Sequence, residues 1–221
     1  AGISTELAAF EDLGIVGGTS ANNPENEIEI LKSRNILGKV IDSLQLNFSY
    51  FTEGRVNTSE IYKENSPILF VKTGVFNKKN SNSFIVKIVD SLNYEFVGID
   101  GDLISSHAFG ESVTINNETF IVESNKNNKP KEEEIVLVKT TSKNSLINQL
   151  KRSIKITPLN ENSSILLLNL NSSVLEKAED ILNELVKQYN TDAISDKNLI
   201  SQNTKDFIDD RLRKIKSDLF L

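Results

Sequence analysis

The sequence predicts an α+β fold: a small, mainly antiparallel sheet flanked by helices, with a long C-terminal helix that projects as an arm. Three observations carry that prediction. Apolar residues recur at helical spacing near both ends of the chain, they alternate with polar residues through 46–141, and Asn, Gly and Pro punctuate that middle section. An apolar fraction of 38% and a mean hydropathy of −0.27 over 221 residues suit a chain that buries a real core.

The opening AGISTELAAFEDLGIVGGTSANN is rich in Gly and small polar residues and reads as a loop or short helix with an irregular lead-in. One helix, bent near Ser33, is expected over 24–45. Asn23 can cap it, Pro24 suits its first position, Glu25 and Glu27 complement its positive end, and Leu37, Val40, Ile41 and Leu44 form its apolar face. The period then changes to two. LNFSYF, PILFVKT, SFIVKIVD, NYEFVGID, SVTINNETFIVE and EIVLVKTT are strand-sized runs, and the Asp100-Gly101 pair suits a tight hairpin.

A short helix, strands over 153–157 and 165–170, and an Asn-Ser turn between them follow. Ser173 and Glu176 suggest a capping box opening the next helix, whose face is Val174, Ala178, Ile181, Leu182, Leu185 and Tyr189. Residues 195–221 form a closing helix about 40 Å long at 1.5 Å per residue. The expected division is an α+β body over 1–194, with its β-rich section at 46–141, and the start of an arm at 195–221.

The closing helix is ordered on both its faces. Ile208, Leu212, Ile215 and Leu219 recur at spacings of four, three and four, joined by Phe207. Asp209 with Arg213 and Asp210 with Lys214 stand four apart, acid first, in pairs contributing about 0.2–0.5 kcal/mol each. A helix of that length must bury its stripe somewhere, as coiled-coil seams do. Phe207, Ile208, Arg211, Leu212, Arg213 and Ile215 are therefore the candidate subunit interface. No Gly, Asn or Pro follows the last apolar residue, the chain opens on Ala, and it contains no Met. Together these features read as a processed or excised piece whose last helix continues further.

Composition excludes several function classes. A net charge of −6 and a pI near 5.0, without a clustered Lys/Arg stripe, argue against a nucleic-acid partner. With no Cys, there are no disulfides, zinc-thiolate sites or cysteine catalysis, and both reducing and oxidising compartments stay open. No run approaches the roughly 20 apolar residues that span a bilayer, and the N-terminus lacks the order of a signal peptide.

Isolated motifs fare no better as chemistry. His107 is the only histidine, so it cannot by itself build a multi-histidine metal site. GIVGGTS lacks the Lys and spacing of a phosphate-binding loop, and Asp100-Gly101-Asp102 lacks the remaining ligands of a calcium loop. KPKEEEIV reads as a solvated charge run, and no carboxylate pair has the spacing of a hydrolase. Asn47, Asn57, Asn117, Asn162 and Asn171 head N-x-S/T triplets that a chain rich in Asn and Ser produces by chance. No catalytic, cofactor-binding or metal-ligating residue is assigned, and no cofactor is expected.

Four segments, in order, resemble the polysaccharide co-polymerases, that is, the Wzz-type chain-length determinants and their tyrosine-kinase-fused Wzc-like relatives. NEIEILKSRNILGKVIDSLQLNFSYF is similar to the family's early helix and following strand, and SEIYKENSPILFV to its Tyr-and-Pro segment. NSSILLLNLNSSVLEKAEDILNELVKQYN is similar to the strand and helix that follow, and NTKDFIDDRLRKIKSDL, with Thr204, Phe207, Ile208, Arg211 and Leu212, to the start of the helical arm. The Gly-rich lead-in before ENEIEILKSR looks most like the kinase-fused branch. Section 75–141 carries no matching motif.

The resemblance implies a periplasmic domain held between two transmembrane helices of an inner-membrane protein. It also implies assembly into a homo-oligomeric ring that sets polymer length and coordinates synthesis with export. Implied partners are the polysaccharide polymerase, the outer-membrane exporter and, through flanking helices, the inner membrane. In the kinase-fused branch a cytoplasmic ATP-binding domain follows the second membrane helix. This sequence has no Walker A lysine, no acidic metal-binding strand motif and no terminal tyrosine cluster, so no catalysis is expected of these residues. The rival reading is an extracytoplasmic adaptor or sensor that binds a glycan or protein on its β-rich section.

Overall fold

A computed structural model of the chain describes residues 24–53, 58–73, 82–115, 118–160 and 163–219. The expected Asn23 cap, the Gly-rich lead-in with GIVGGTS, and the triplets headed by Asn57, Asn117 and Asn162 lie outside the described residues. The architecture is α+β, with antiparallel sheets, helices at both ends and a long last helix. Two compact units divide the chain: Lys32–Lys155 with Leu168–Leu185, and the residues before Lys32 with Ile156–Leu167 and the chain from Val186 on.

The single bent helix expected at 24–45 is two helices, α1 (Pro24–Leu31) and α2 (Arg34–Leu44). Ser33 is the cause: its backbone is extended, and its hydroxyl accepts from the Ile36 N–H at 3.2 Å, so a new helix starts there rather than an old one bending. α2 buries Ile36, Leu37, Val40 and Ile41, its apolar face. It ends at Gln45, held left-handed at φ 52° while its N–H reaches back to Asp42 and Ile41, a C-cap usually taken by Gly.

The middle section builds two sheets. Strands β1 (Phe48–Glu53), β2 (Thr58–Ile61), β4 (Ser83–Ile88), β5 (Asn93–Val97), β6 (Leu103–Ala108) and β9 (Ile135–Thr140) form a six-stranded sheet of order β2-β1-β9-β4-β5-β6. A second sheet has the order β3-β8-β7, from β3 (Ile68–Lys72), β7 (Ser112–Ile115) and β8 (Glu118–Ser124). All of these pairings are antiparallel. A 3₁₀ turn at Lys63–Asn65 separates β2 from β3.

Alternation explains which residues go inside. β4 buries Phe84, Val86 and Ile88, β5 buries Tyr94 and Phe96, and β9 buries Val136 and Val138. These side chains share one core with Phe48 and Tyr50 of β1 and Phe70, Val113, Phe120 and Val122 of the second sheet. Phe70 sits at its centre, with ring centroids 4.8 Å from Phe120 and 5.3 Å from Phe48. Fully burying a side chain of this size contributes about 1.5–3 kcal/mol, so the aromatic cluster dominates the unit's stability. Tyr50 ties the sheets by a polar link as well, its hydroxyl accepting from the Phe70 N–H at 2.8 Å.

After the sheets come α3 (Lys143–Ser153), the paired strands β10 (Ile154–Pro158) and β11 (Leu166–Leu170), and α4 (Leu175–Leu219). α3 is capped by Ser142, which accepts from Ser145 N–H at 3.2 Å, and it buries Leu146, Ile147 and Leu150. Two helices were expected where α4 runs unbroken for 45 residues, about 68 Å at 1.5 Å per residue.

Candidate functional site

α4 carries both kinds of surface that matter, and its first turns show how the chain fixes it. Ala178, Ile181 and Leu185 are buried, as their spacing of three and four requires. Beside them stands a polar latch to the segment around β2. Glu60 accepts from Lys177 Nζ at 2.5 Å and from Ser173 Oγ at 3.1 Å. Asp180 accepts from the Tyr62 hydroxyl at 3.0 Å and forms an ion pair with Lys63. Asn65 Nδ2 donates to Glu176 at 3.2 Å.

This latch replaces the expected capping box. Ser173 is turned to Glu60 and Glu176 to Asn65, while the Val174 N–H is taken up by Ser172 Oγ at 3.2 Å. The Tyr62 phenol is held well above its ordinary pKa, first by burial and then by its bond to Asp180. Lys63 adopts φ 37°, an uncommon conformation for a residue with a side chain, which points its ammonium back to Asp180 and to within 5.1 Å of the Tyr62 ring centroid.

Further along, Tyr189 donates to the Glu27 carboxylate, a bond that with some burial pushes its phenol up to about 12. From there the helix surface changes character. Every described side chain of 194–217 is exposed except Thr204, which is half-buried. Phe207, Ile208, Leu212 and Ile215 are 44%, 43%, 50% and 48% exposed. They lie on one stripe together with Arg211. Arg213 does not join them: at about 100° per residue it stands roughly 160° round from Ile215. There it pairs with Asp210 at 3.4 Å, three residues back, in a register other than the Asp209–Arg213 spacing expected. The Thr204 hydroxyl, about one turn before the stripe begins at Phe207, is covered without a hydrogen-bond partner.

The other candidates resolve into structure. His107 stands in β6 with its ring 5.8 Å from Tyr94 and 5.7 Å from Phe96, and its Nε2 is 2.9 Å from Ser105 Oγ. Asp100, Gly101 and Asp102 form the exposed turn between β5 and β6, with Gly101 at φ 83°. Asn47 is buried and donates to the Thr141 carbonyl at 2.8 Å, whereas Asn171 is exposed. Among the described residues no group of three or more His, Asp or Glu side chains is placed to hold a metal ion.

A cleft of about 360 Å³ is lined by Gln45, Tyr50, Tyr62, Lys63, Phe70 and Asn125, among others. Several of its polar side chains are committed to the protein. Tyr50 and Tyr62 are bonded as described, and Asn125 Nδ2 donates to the carbonyls of Lys63 and Ser66 at 2.8 and 2.7 Å. The latch residues are not paired by the sequence reading because Lys63 and Asp180 are 117 positions apart, in two separate segments that meet only through the fold.

No helix among the described residues is long and apolar enough to cross a membrane. No protein-family model matches the chain. The chain is 25% identical over 202 residues to a Klebsiella pneumoniae protein named as a tyrosine-protein kinase in the cps region, covering 87% of this chain and 27% of that protein. It is 24% identical over 217 residues to the tyrosine-protein kinase wzc of Salmonella typhi, covering 92% of this chain and 29% of that protein. The chain thus spans less than a third of the length of these curated relatives, and over nearly all of its own length it is distantly similar to Wzc-type tyrosine kinases.

Proposed function

We propose that this chain is the periplasmic domain of a membrane-anchored polysaccharide co-polymerase, an oligomer that controls chain length and coordinates export of exopolysaccharide, capsule or O-antigen. The observation that carries this reading is that the likeness to Wzc-type proteins runs through 87% and 92% of the chain. It includes the β-rich section as well as the helical flanks. On this reading the protein works by geometry: it presents a helix whose stripe is shaped to meet another subunit, while the polymerase and outer-membrane exporter act beside the ring. Tyrosine kinase activity, named for the relatives, belongs to a cytoplasmic domain of the longer protein and not to these residues.

The exposed stripe Phe207, Ile208, Arg211, Leu212 and Ile215 supports the assembly step, because apolar side chains in a row on a long helix gain about 25 cal/mol per Å² when a partner covers them. The test is the subunit number of the intact protein, with its membrane segments, in lipid nanodiscs. A defined oligomer that Leu212→Asp and Ile215→Asp disrupt, with longer or unregulated polymer in cells carrying those variants, is the expected result. A wild-type protein that stays monomeric at every concentration sinks the reading.

A further inference from the structure

We propose that the outward face of α3 binds a carboxylate-bearing sugar of an acidic glycan, an inference that rests on the reading above of a chain working beside an exported polysaccharide. Charge marks out the face. Residues 32–41 and 141–160 together hold seven Lys and Arg and no Asp or Glu, in a chain whose net charge is −6. Neither segment is a basic run by itself, but α2 and α3 pack side by side and bring the two together. Lys143 is paired with Asp42. Lys151, Arg152 and Lys155 have no carboxylate partner among the described residues.

A shallow depression of about 490 Å³ lies on α3, lined by Ser145, Asn148, Gln149, Arg152 and Ser153. At about 100° per residue the first four fall within roughly 100° of one another, so they share one face of the helix. Two of its donors are set in advance. Arg34 donates to Asn144 Oδ1 at 2.9 Å and to Asn148 Oδ1 at 3.4 Å, which holds the oxygen end of the Asn148 amide toward α2 and leaves its NH2 for a ligand. Ser142 Oγ donates to Ser145 Oγ at 2.8 Å, so the Ser145 proton is left to donate elsewhere. A cation in the last turn complements the negative end of a helix, and that alone accounts for Lys151 or Arg152 standing there. It does not account for a depression lined only by polar side chains, or for amides that Arg34 orients.

Chemistry selects the occupant. A guanidinium presents paired N–H groups that match the two oxygens of a carboxylate, and the surrounding amides and hydroxyls match the hydroxyls of a sugar. A bilayer asks for something else. Leu146, Ile147 and Leu150, the apolar residues of α3, are all buried, so its outward face has nothing to insert among acyl chains. An uncharged glycan would leave the Arg152 guanidinium without a counter-charge and draw nothing from the surplus of cations around it.

The experiment titrates the whole 221-residue chain with tetragalacturonate, against maltotetraose as the uncharged sugar of equal length, and follows backbone amides by NMR. Tetragalacturonate should shift Asn148, Gln149 and Arg152, and its affinity should fall as salt rises. Maltotetraose should bind about tenfold more weakly, and Arg152→Gln should weaken tetragalacturonate by about the same factor, since each removes one side of a charge-assisted pair. Arg152→Lys, which keeps the charge and loses the fork, should fall between. Arg152 is exposed, so circular dichroism should not change in either variant. Equal binding of the two sugars, full affinity in Arg152→Gln, or the same shifts from inorganic phosphate at equal concentration overturns the proposal. Tighter binding to phosphatidylglycerol vesicles, abolished by Arg152→Gln, also overturns it, because the occupant is then a membrane. The subunit number of the intact protein is a separate readout, so failure of this site and failure of the ring are told apart.

Discussion

The two ends of α4 follow one apolar period and meet opposite fates. Between Ala178 and Leu185 the stripe is buried and latched by Glu60, Lys63 and Asp180, whereas at Phe207–Ile215 the same kind of stripe stands in solvent. Helical spacing thus identifies a face that wants cover, and the polar residues brought in from elsewhere decide whether this chain supplies it. The largest test of that contrast pairs two truncations. Leu185→Ala, at a side chain with no exposed surface, should lower unfolding free energy by about 2–5 kcal/mol. Leu212→Ala should stay within about 0.5 kcal/mol. Urea midpoints measured on the 221-residue chain decide it, and a comparable loss at Leu212 would mean that the stripe is covered at home.

The latch comes next in size. Asp180 accepts both the Tyr62 hydroxyl and the Lys63 ammonium, a charge-assisted arrangement of the kind that contributes about 1.5–3 kcal/mol when dry. With the Lys63 and Asp180 side chains 43% and 38% exposed, solvent screens it, and Asp180→Asn should cost roughly 1 kcal/mol. Stability should return partly in high salt relative to the parent if the loss is electrostatic. If Asp180→Asn were neutral, the buried apolar contacts alone would hold this end of the helix.

Much of the fold was legible where period and burial agree. SFIVKIVD gave β4 and EIVLVKTT gave β9 because both strands bury every second residue against the aromatic core. LISSHA did not announce β6: two apolar residues followed by Ser-Ser-His show no alternation, and the strand owes its place to pairing with β5. A separate closing helix was expected from 195, yet one helix passes through, with Thr191 Oγ1 donating to the Lys187 carbonyl at 2.8 Å and so satisfied within the helix. The candidate stripe was readable from spacing alone, which also shows why Arg213, at the wrong phase, does not belong to it. The latch was not readable, since its partners meet only through the tertiary fold.

Alkaline pH compares the two units through their tyrosines. Tyr50, Tyr62 and Tyr94 in the first unit are all raised by burial, and Tyr189 in the second is raised to about 12, chiefly by its bond to Glu27. A phenol whose pKa is higher folded than unfolded stabilises the fold fully below its unfolded value near 10, and the contribution is lost as pH climbs through the folded value. For Tyr189 that window is pH 10 to about 12. Absorbance titration should therefore show almost no phenolate in the folded chain at pH 10, where the urea-unfolded chain is half ionised. Tyr189→Phe should remove the earliest step of the folded titration and leave the rest in place. An unchanged first step would assign it to one of the buried rings.

The smallest expected effect lies on the far side of the stripe. Asp210 and Arg213 are paired at 3.4 Å with side chains 67% and 77% exposed. Exposed pairs of this kind contribute about 0.2–1 kcal/mol and often nothing measurable, so Asp210→Asn should change unfolding free energy by less than about 0.5 kcal/mol and disappear in high salt. Its value is as a control against the stripe. Because Arg213 points away from Phe207, Ile208, Leu212 and Ile215, Asp210→Asn should also leave the subunit number of the intact protein unchanged while Leu212→Asp reduces it. Should the two variants disrupt assembly equally, the contact surface would wrap the helix and would not be confined to its apolar face.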